Sequence, residues 1–133
     1  MILGVGTDLV DIRRIEKVLS RFGQSFTGRV FTAGEKAFCE GRGENRKAAA
    51  YALRFAAKEA CSKALGTGMN NLNWRDIEVR SLPSGKPAVV LSGKAAGVLS
   101  ALTPDGFAPQ IDLSLSDEPP YGTATVIISA NEV

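Results

Sequence analysis

Glu59 and Lys63 are spaced one helical turn apart within Phe55–Gly68, with Lys58 and Ser62 further round the same segment. On a helix this spacing places one carboxylate, two ammonium groups and a hydroxyl along one rod. Such a set could bind an anionic group and accept a proton. A Glu/Lys pair at this spacing also stabilises a helix by about 0.2–0.5 kcal/mol, so a purely structural role is the alternative.

The helix that carries this set is predicted to begin near Arg46 and to pack inward. Its apolar stripe follows a helical period and consists of Leu53, Ala57, Ala60, Cys61 and Ala64. The small alanines allow another chain segment or a ligand to approach closely. Gly66 is a typical C-terminal helix stop.

A second candidate carboxylate, Asp8, lies in a predicted strand from Ile2 to Val10. The alternation puts Leu3, Val5 and Leu9 on one face and Gly4, Gly6 and Asp8 on the other. Because glycine inside a strand often marks close approach of a ligand or backbone, Asp8 is expected in a prepared hollow. The alternative is an ordinary acid in a turn at a strand end.

A basic stripe follows directly on this strand. Asp11 is predicted to cap a helix that ends at Gly23, with an apolar face of Ile12, Ile15, Leu19 and Phe22. The opposite side carries Arg14, Lys17 and Arg21. These cations fit either a solvated face or the acidic helix of a partner protein.

The rest of the chain predicts one α+β domain over residues 1–133 with a mostly antiparallel sheet around the long central helix. Thr32 and Glu35 form a capping box. A hairpin turns at Pro83–Pro87, Ser92 caps a further helix, and a second hairpin turns at Glu118–Gly122.

Composition narrows the possible chemistry. The formal net charge is +2, but residues 1–63 hold 12 Lys/Arg against 7 Asp/Glu, whereas residues 64–133 hold 4 against 7. An anionic ligand or acidic partner is therefore expected at the N-terminal half.

The absence of histidine excludes Ser/His, Cys/His and His-metal mechanisms. Two cysteines without metal-ligand spacing, and no targeting or membrane-spanning stretch, predict a cytoplasmic protein with reduced thiols.

Four segments, taken in order, resemble one known family. They are Gly6–Ile12 (GTDLVDI), Phe31–Glu35 (FTAGE), Phe55–Gly68 (FAAKEACSKALGTG) and Pro83–Pro87 (PSGKP). This set is similar to that of the holo-acyl-carrier-protein synthases, the short bacterial type of 4′-phosphopantetheinyl transferase. The resemblance implies transfer of 4′-phosphopantetheine from coenzyme A to a serine of apo acyl carrier protein, with release of adenosine 3′,5′-bisphosphate. It also implies a requirement for Mg²⁺ and a homotrimer with sites between subunits.

The resemblance assigns roles to residues of this chain. Asp8 and Glu59 match metal-binding carboxylates, and Lys63 matches the active-site lysine, so these three are the candidate catalytic residues. Positions that match coenzyme A contacts are Arg54, Lys58, Ser62 and Lys63 for the phosphates, and Ser84, Gly85, Lys86 and Pro87 near the adenine. Arg14, Lys17 and Arg21 match the helix that receives the acyl carrier protein.

The chemistry of this reaction suits those residue types. Mg²⁺ prefers one or two carboxylates together with phosphates and water, and Lys63 adds positive charge for the leaving oxygens. The serine proton needs an acceptor, and Glu59 and Asp8 both remain candidates. One departure from the family is the stretch Asp112–Asp117 (DLSLSD), which stands where the family commonly has His-x-Ser-x-Ser-His, so neither aspartate is assigned a role.

Two other functions compete with this interpretation. A non-catalytic basic module could bind RNA or an acidic protein, although the Arg14 face lacks the interleaved aromatics typical of nucleic-acid binding. The second competing function is that of another nucleotide-dependent transferase, but the sequence contains no P-loop or dinucleotide-type glycine-rich motif. We therefore predict no nucleic-acid or membrane partner.

Overall fold

The computed structural model describes residues 1–133 as an N-terminal strand, four helices, a short hairpin, a fifth helix and a long hairpin. The elements are β1 (Ile2–Asp11), α1 (Ile12–Phe22), α2 (Gln24–Val30), α3 (Ala33–Glu40), α4 (Glu44–Leu65), β2 (Ile77–Ser81), β3 (Pro87–Leu91), α5 (Gly93–Leu102), β4 (Phe107–Glu118) and β5 (Tyr121–Glu132). Two 3₁₀ turns, Met69–Asn71 and Trp74–Asp76, connect α4 to β2. No helix combines the length and apolar character needed to cross a bilayer.

The strands form two antiparallel sheets rather than one. The larger sheet has the order β1-β5-β4, and β2 pairs with β3 in a separate two-stranded sheet. Both predicted hairpins are present, and their strands surround α4, the predicted long central helix. The α+β fold class is therefore confirmed, with the antiparallel strands divided between two sheets.

The glycine face of β1 lies directly against the backbone of α4. A Cβ added to Gly4 would stand 1.9 Å from the Ala64 carbonyl oxygen, and one on Gly6 would stand 1.9 Å from that of Ala60. Any side chain at either position would therefore separate strand and helix. The space expected above these glycines is filled by the helix and is not a ligand hollow, because the glycines serve close backbone packing.

The opposite face of the larger sheet is open. Leu3 packs against the core, but Val5 and Leu9 are 57% and 66% exposed. Ile127, which pairs with Val5 in the register of β1 and β5, is also exposed. The apolar face predicted for β1 is thus largely uncovered in a single chain.

Helix α1 has the predicted ends but not all of the predicted apolar face. The Asp11 side chain accepts a hydrogen bond from the Arg13 amide, and Gly23 ends the helix with a positive φ of 51°. Ile12 and Ile15 are buried, whereas Phe22 is 52% exposed because α1 turns into α2 at that point.

The core is built around α4. Ala56, Ala57, Ala60 and Cys61 are fully buried, so the helix is covered on more than its predicted stripe. Cys39 and Cys61 are free thiols whose burial raises their pKa to about 12. Neither thiol is therefore a nucleophile near neutral pH.

Candidate active site

Asp8, Glu59 and Lys63 lie together where β1 crosses α4. The Lys63 ammonium donates to the Thr7 carbonyl oxygen at 2.9 Å and to Asp8 Oδ1 at 3.3 Å. Burial raises the pKa of Glu59, and the negative charge of Asp8 raises it further, while Lys63 and Arg14 oppose the shift. The cluster is therefore two neighbouring carboxylates with one ammonium group to balance them.

The glycine packing explains why these groups meet. Gly4, Gly6 and Asp8 alternate along one face of β1, so the contacts of Gly4 and Gly6 with α4 carry Asp8 onto the same helix. Glu59 and Lys63 are one turn apart on that helix, beside Asp8. The Asp8 side chain is 18% exposed and that of Lys63 is 51% exposed, so a ligand can reach both.

The basic stripe of α1 borders this cluster. Arg14, Lys17 and Arg21 are all exposed. The positive charge of Arg14 acts on the Glu59 carboxyl group and lowers its pKa. A partner bound along α1 would consequently approach the carboxylates from the Arg14 end.

A second candidate site is a hollow of about 510 Å³ between α3, α4, the β2–β3 hairpin and the β4–β5 hairpin. We call this site the arginine hollow, because Arg42, Arg46 and Arg54 line it. Other residues around it are Phe38, Asn45, Ser81, Gly85, Pro87 and Asp117. The site is open to solvent and carries three guanidinium groups, which suits an anionic ligand.

Arg54 is the most unusual residue in the arginine hollow. It is only 5% exposed, and its guanidinium carbon lies 3.8 Å from the centroid of the Phe38 ring. Nη2 makes a single long hydrogen bond of 3.5 Å to Ser81 Oγ, and Nε is buried without a partner. A buried donor without an acceptor is costly, so the protein alone leaves this guanidinium incompletely satisfied. Because Arg54 also lines the hollow, it is a candidate partner for an anionic ligand.

The carboxylate cluster and the arginine hollow lie on different sides of α4. Arg54 and Lys63 are nine positions apart, which at about 100° per residue places their side chains about 180° apart. Neither Asp8, Glu59 nor Lys63 lines the hollow. One chain therefore presents two separate candidate sites.

Two of the predicted phosphate contacts are engaged inside the fold of the single chain. Lys58 is fully buried, and its ammonium donates to Glu35 Oε1 at 2.8 Å, to the Trp74 carbonyl oxygen at 3.0 Å and to the Ile77 carbonyl oxygen. Ser62 is also fully buried and donates to the Glu59 carbonyl oxygen at 2.7 Å. Both groups are already satisfied inside the fold, so neither is available to a ligand.

The predicted hairpin contacts divide into two pairs. Gly85 and Pro87 line the arginine hollow, whereas Ser84 and Lys86 stand exposed at the hairpin tip. Sequence reasoning missed Arg42 and Arg46. Their signal was the basic N-terminal half together with the turn at Gly41–Gly43, which places Arg42 just ahead of α4.

The two aspartates that depart from the family pattern occupy different environments. Asp117 borders the arginine hollow. Asp112 pairs in register with Ile127 on the open sheet face and accepts a hydrogen bond from Gln110 at 3.0 Å. The two positions therefore do not form a joint site within one chain.

Asp8 and Glu59 supply two carboxylates, which suits Mg²⁺ better than a metal ion that needs protein side chains for all of its ligands. No group of three or more His, Cys, Asp or Glu side chains is arranged to hold a metal. Two carboxylates leave the remaining positions of an octahedral ion for phosphate oxygens and water, which is the usual arrangement for Mg²⁺.

Comparison with known proteins identifies the family. The 4′-phosphopantetheinyl transferase superfamily matches residues 4–111. The holo-[acyl-carrier-protein] synthase of Bradyrhizobium diazoefficiens is 54% identical over 98% of this chain and 96% of its own length.

Solved structures give the same result. The holo-[acyl-carrier-protein] synthase of Neisseria meningitidis is 36% identical, with a TM-score of 0.82 over 97% of this chain and 99% of the other. That of Bacillus anthracis, solved in complex with CoA (3′,5′-ADP), is 34% identical with a TM-score of 0.78 over 96% of each chain.

Fold and sequence together define a 4′-phosphopantetheinyl transferase. Within that superfamily the chain belongs to the holo-[acyl-carrier-protein] synthases. The family resemblance and the enzyme class predicted from the sequence are confirmed.

Proposed function

We propose that the chain transfers the 4′-phosphopantetheine group of coenzyme A to a serine of apo acyl carrier protein and releases adenosine 3′,5′-bisphosphate. The observation that carries this proposal is Arg54, a buried cation with one unsatisfied donor in a hollow lined by two further arginines. Coenzyme A supplies the phosphates that such donors require. We place the reaction in the cytosol, where thiols such as Cys39 and Cys61 stay reduced.

The nucleotide end of coenzyme A is assigned to the arginine hollow. Arg42, Arg46 and Arg54 face its phosphates there, and the hairpin residues Gly85 and Pro87 form the wall for the adenosine. The B. anthracis relative, whose structure contains CoA (3′,5′-ADP), supports a nucleotide ligand in this fold.

Mg²⁺ is assigned to Asp8 and Glu59. When bound there, the ion would neutralise the pyrophosphate of coenzyme A and stabilise charge that develops on the leaving oxygen. Lys63, held by Thr7 and Asp8, places a second positive charge beside that oxygen.

Glu59 is the proton acceptor in this proposal. In the metal-free protein, burial and the charge of Asp8 raise the pKa of its carboxyl group. Mg²⁺ bound there would oppose that shift, so the proton would pass to the Glu59 oxygen left free of the ion or to a water that it holds. The serine hydroxyl of the carrier protein transfers its proton to Glu59 directly or through water as its oxygen attacks phosphorus.

The carrier protein is assigned to α1. Arg14, Lys17 and Arg21 provide an exposed cationic stripe for an acidic helix, and Phe22 adds an exposed aromatic ring at its end. Because Arg14 also acts on Glu59, a carrier bound here would present its serine to the carboxylate cluster.

Replacing both Arg14 and Arg21 by Glu should raise the KM for carrier protein at least about tenfold and flatten its salt dependence, since exposed charges act mainly through association. The KM for coenzyme A should stay within about twofold. Steady-state kinetics at several ionic strengths test this prediction, with Arg75→Glu, an exposed arginine outside α1, as the matched control. An unchanged KM for carrier protein would show that the stripe is an ordinary solvated surface.

A homotrimer with sites between subunits would join the two candidate sites. The phosphates of one nucleotide are close together, whereas an α-helix about 10 Å across separates Arg54 from Lys63 in one chain. The open sheet face with Val5, Leu9 and Ile127 offers an apolar surface for a second copy. We therefore propose that the hollow of one subunit serves the carboxylates of its neighbour.

Mass spectrometry of apo carrier protein incubated with coenzyme A, Mg²⁺ and this protein tests the proposed reaction. The carrier should gain the mass of one phosphopantetheine group, and equimolar adenosine 3′,5′-bisphosphate should appear in solution. Omission of Mg²⁺ in the presence of a chelator should abolish both products. An unmodified carrier, together with a salt-dependent shift of RNA in a gel, would instead favour the non-catalytic binding module.

A further inference from the structure

The ion pair Glu35–Lys58 is the most completely buried charged group of the fold and takes no part in the proposed chemistry. The two residues are 1% and 0% exposed. Lys58 uses its three donors on Glu35 and on the carbonyl oxygens of Trp74 and Ile77. The Lys58 ammonium thus links α4 both to α3 and to the segment from Trp74 to Ile77 that leads into β2.

Glu35 completes the connection from the other side. Its Oε1 accepts from the Thr32 amide at 2.9 Å and from Lys58 at 2.8 Å, and its Oε2 accepts from the Val79 amide at 2.8 Å. Each carboxylate oxygen is therefore bonded to a different part of the fold. We call the set Thr32, Glu35, Lys58, Ile77 and Val79 the buried junction.

The three elements that meet at the buried junction also form walls of the arginine hollow, whose remaining side is the β4–β5 hairpin with Leu115, Asp117 and Pro119. Phe38 of α3 stacks on Arg54 of α4, and Ser81 at the end of β2 accepts the only hydrogen bond of that guanidinium. Glu35 lies one turn before Phe38 on α3, Lys58 one turn after Arg54 on α4, and Val79 two residues before Ser81 on β2. The junction therefore holds each of these elements within four residues of the side chain that it contributes to the hollow.

We propose that Glu35 and Lys58 are positioning residues for coenzyme A, because they fix the relative placement of the three walls around Arg54. The inference rests on the proposed binding of the nucleotide in the arginine hollow. Apolar contacts would tolerate small shifts between α3, α4 and β2. Directional charged hydrogen bonds hold those elements in one arrangement, at the expense of desolvating two charges.

The test compares two pairs of variants. The double variant Glu35→Gln/Lys58→Met removes both charges and keeps their approximate volume, so it avoids an unpaired buried ion. Ile128→Val is a matched control, since it loosens the fully buried β5 core away from the hollow. Arg54→Met reports whether the hollow binds coenzyme A at all.

We expect the double variant to raise the KM for coenzyme A and the calorimetric Kd for adenosine 3′,5′-bisphosphate at least about tenfold, as loss of orienting contacts does. The KM for carrier protein should change less than about twofold, and Ile128→Val should leave both constants unchanged. A folded double variant with normal coenzyme A constants would overturn the inference, as would equal changes in both KM values.

The outcomes separate this inference from the proposed function. If Arg54→Met binds adenosine 3′,5′-bisphosphate normally, the hollow is not the nucleotide site and the proposed function is wrong at that point. If Arg54→Met weakens binding and the double variant does not, only the positioning role is wrong.

A measurement on the wild-type protein does not depend on variant folding. Saturating coenzyme A should slow hydrogen exchange of the Val79 amide more than that of the Ile128 amide, because binding and the junction stabilise each other. Equal slowing at the two amides would contradict the coupling.

Discussion

Mixing Glu59→Gln subunits with Arg54→Met subunits is expected to restore about a quarter of wild-type turnover, although each variant alone is nearly inactive. Removal of Glu59 should lower kcat at least about 100-fold, as loss of a group that acts on transition-state charge does. Removal of the Arg54 cation should lower kcat/KM for coenzyme A about 30-fold or more. If each site combines the carboxylates of one subunit with the hollow of the next, a quarter of the sites in randomly mixed trimers are fully wild-type.

Co-expression of two differently tagged copies, followed by assay of the whole mixture at low coenzyme A, provides the measurement. Tandem purification removes the uniform trimers and should raise the recovery to about one third, because each mixed trimer has one fully wild-type site among its three. The matched control mixes Asp8→Asn with Glu59→Gln. Those residues belong to the same candidate site of one chain, so their mixture should stay inactive. If the mixture of Glu59→Gln and Arg54→Met subunits contains both tags in one species but recovers no turnover, each chain builds its own complete site.

The elements of the fold were predictable because their signals are local. Asp11 and the Thr32–Glu35 capping box mark helix starts, and Gly23 and Gly66 mark helix ends. The hairpin at Pro83–Pro87 follows from its turn residues. The helix α2 was missed, since Gln24–Val30 spans only two turns and has little periodicity.

The candidate site was less predictable because burial depends on tertiary contacts. Lys58 and Lys63 belong to one segment, but Lys58 turns into the junction with Glu35 and Lys63 toward Asp8. The spacing of Gly4 and Gly6 signals close approach without saying whether a ligand or a helix approaches. The partnerless Nε of Arg54 becomes visible only after the walls around it are placed.

The paired carboxylates make a prediction about stability as well as activity. Because the folded-state pKa of Glu59 is raised, its ionised form destabilises the apo protein, and this cost grows as pH rises through that pKa. Near neutral pH the Glu59→Gln variant should therefore be as stable as the wild-type apo protein or more stable. Asp8→Asn removes the same repulsion but also an exposed ion pair with Lys63, so its net effect should be close to zero.

Activity should move in the opposite direction from stability. Asp8→Asn and Glu59→Gln should each reduce Mg²⁺ affinity and lower kcat at least about 100-fold. Lys63→Ala should lower kcat while Mg²⁺ binding is largely retained, because the proposed function places the lysine at the leaving oxygens and not among the metal ligands. A helix pair of Glu59 and Lys63 without catalytic function predicts a different pattern, with a small equal loss of stability for either partner and normal turnover.

Thermal melts of the three variants, with and without Mg²⁺ and coenzyme A, decide between these patterns when combined with turnover measurements. The wild-type melting temperature should rise on addition of Mg²⁺ and coenzyme A together, since ligands that bind only the native state stabilise it. In Asp8→Asn and Glu59→Gln the metal-dependent part of that rise should be lost, while Lys63→Ala should keep it. Near-normal activity in both carboxylate variants would contradict the metal assignment, because Asp8 and Glu59 are the acidic side chains that act on or bind Lys63.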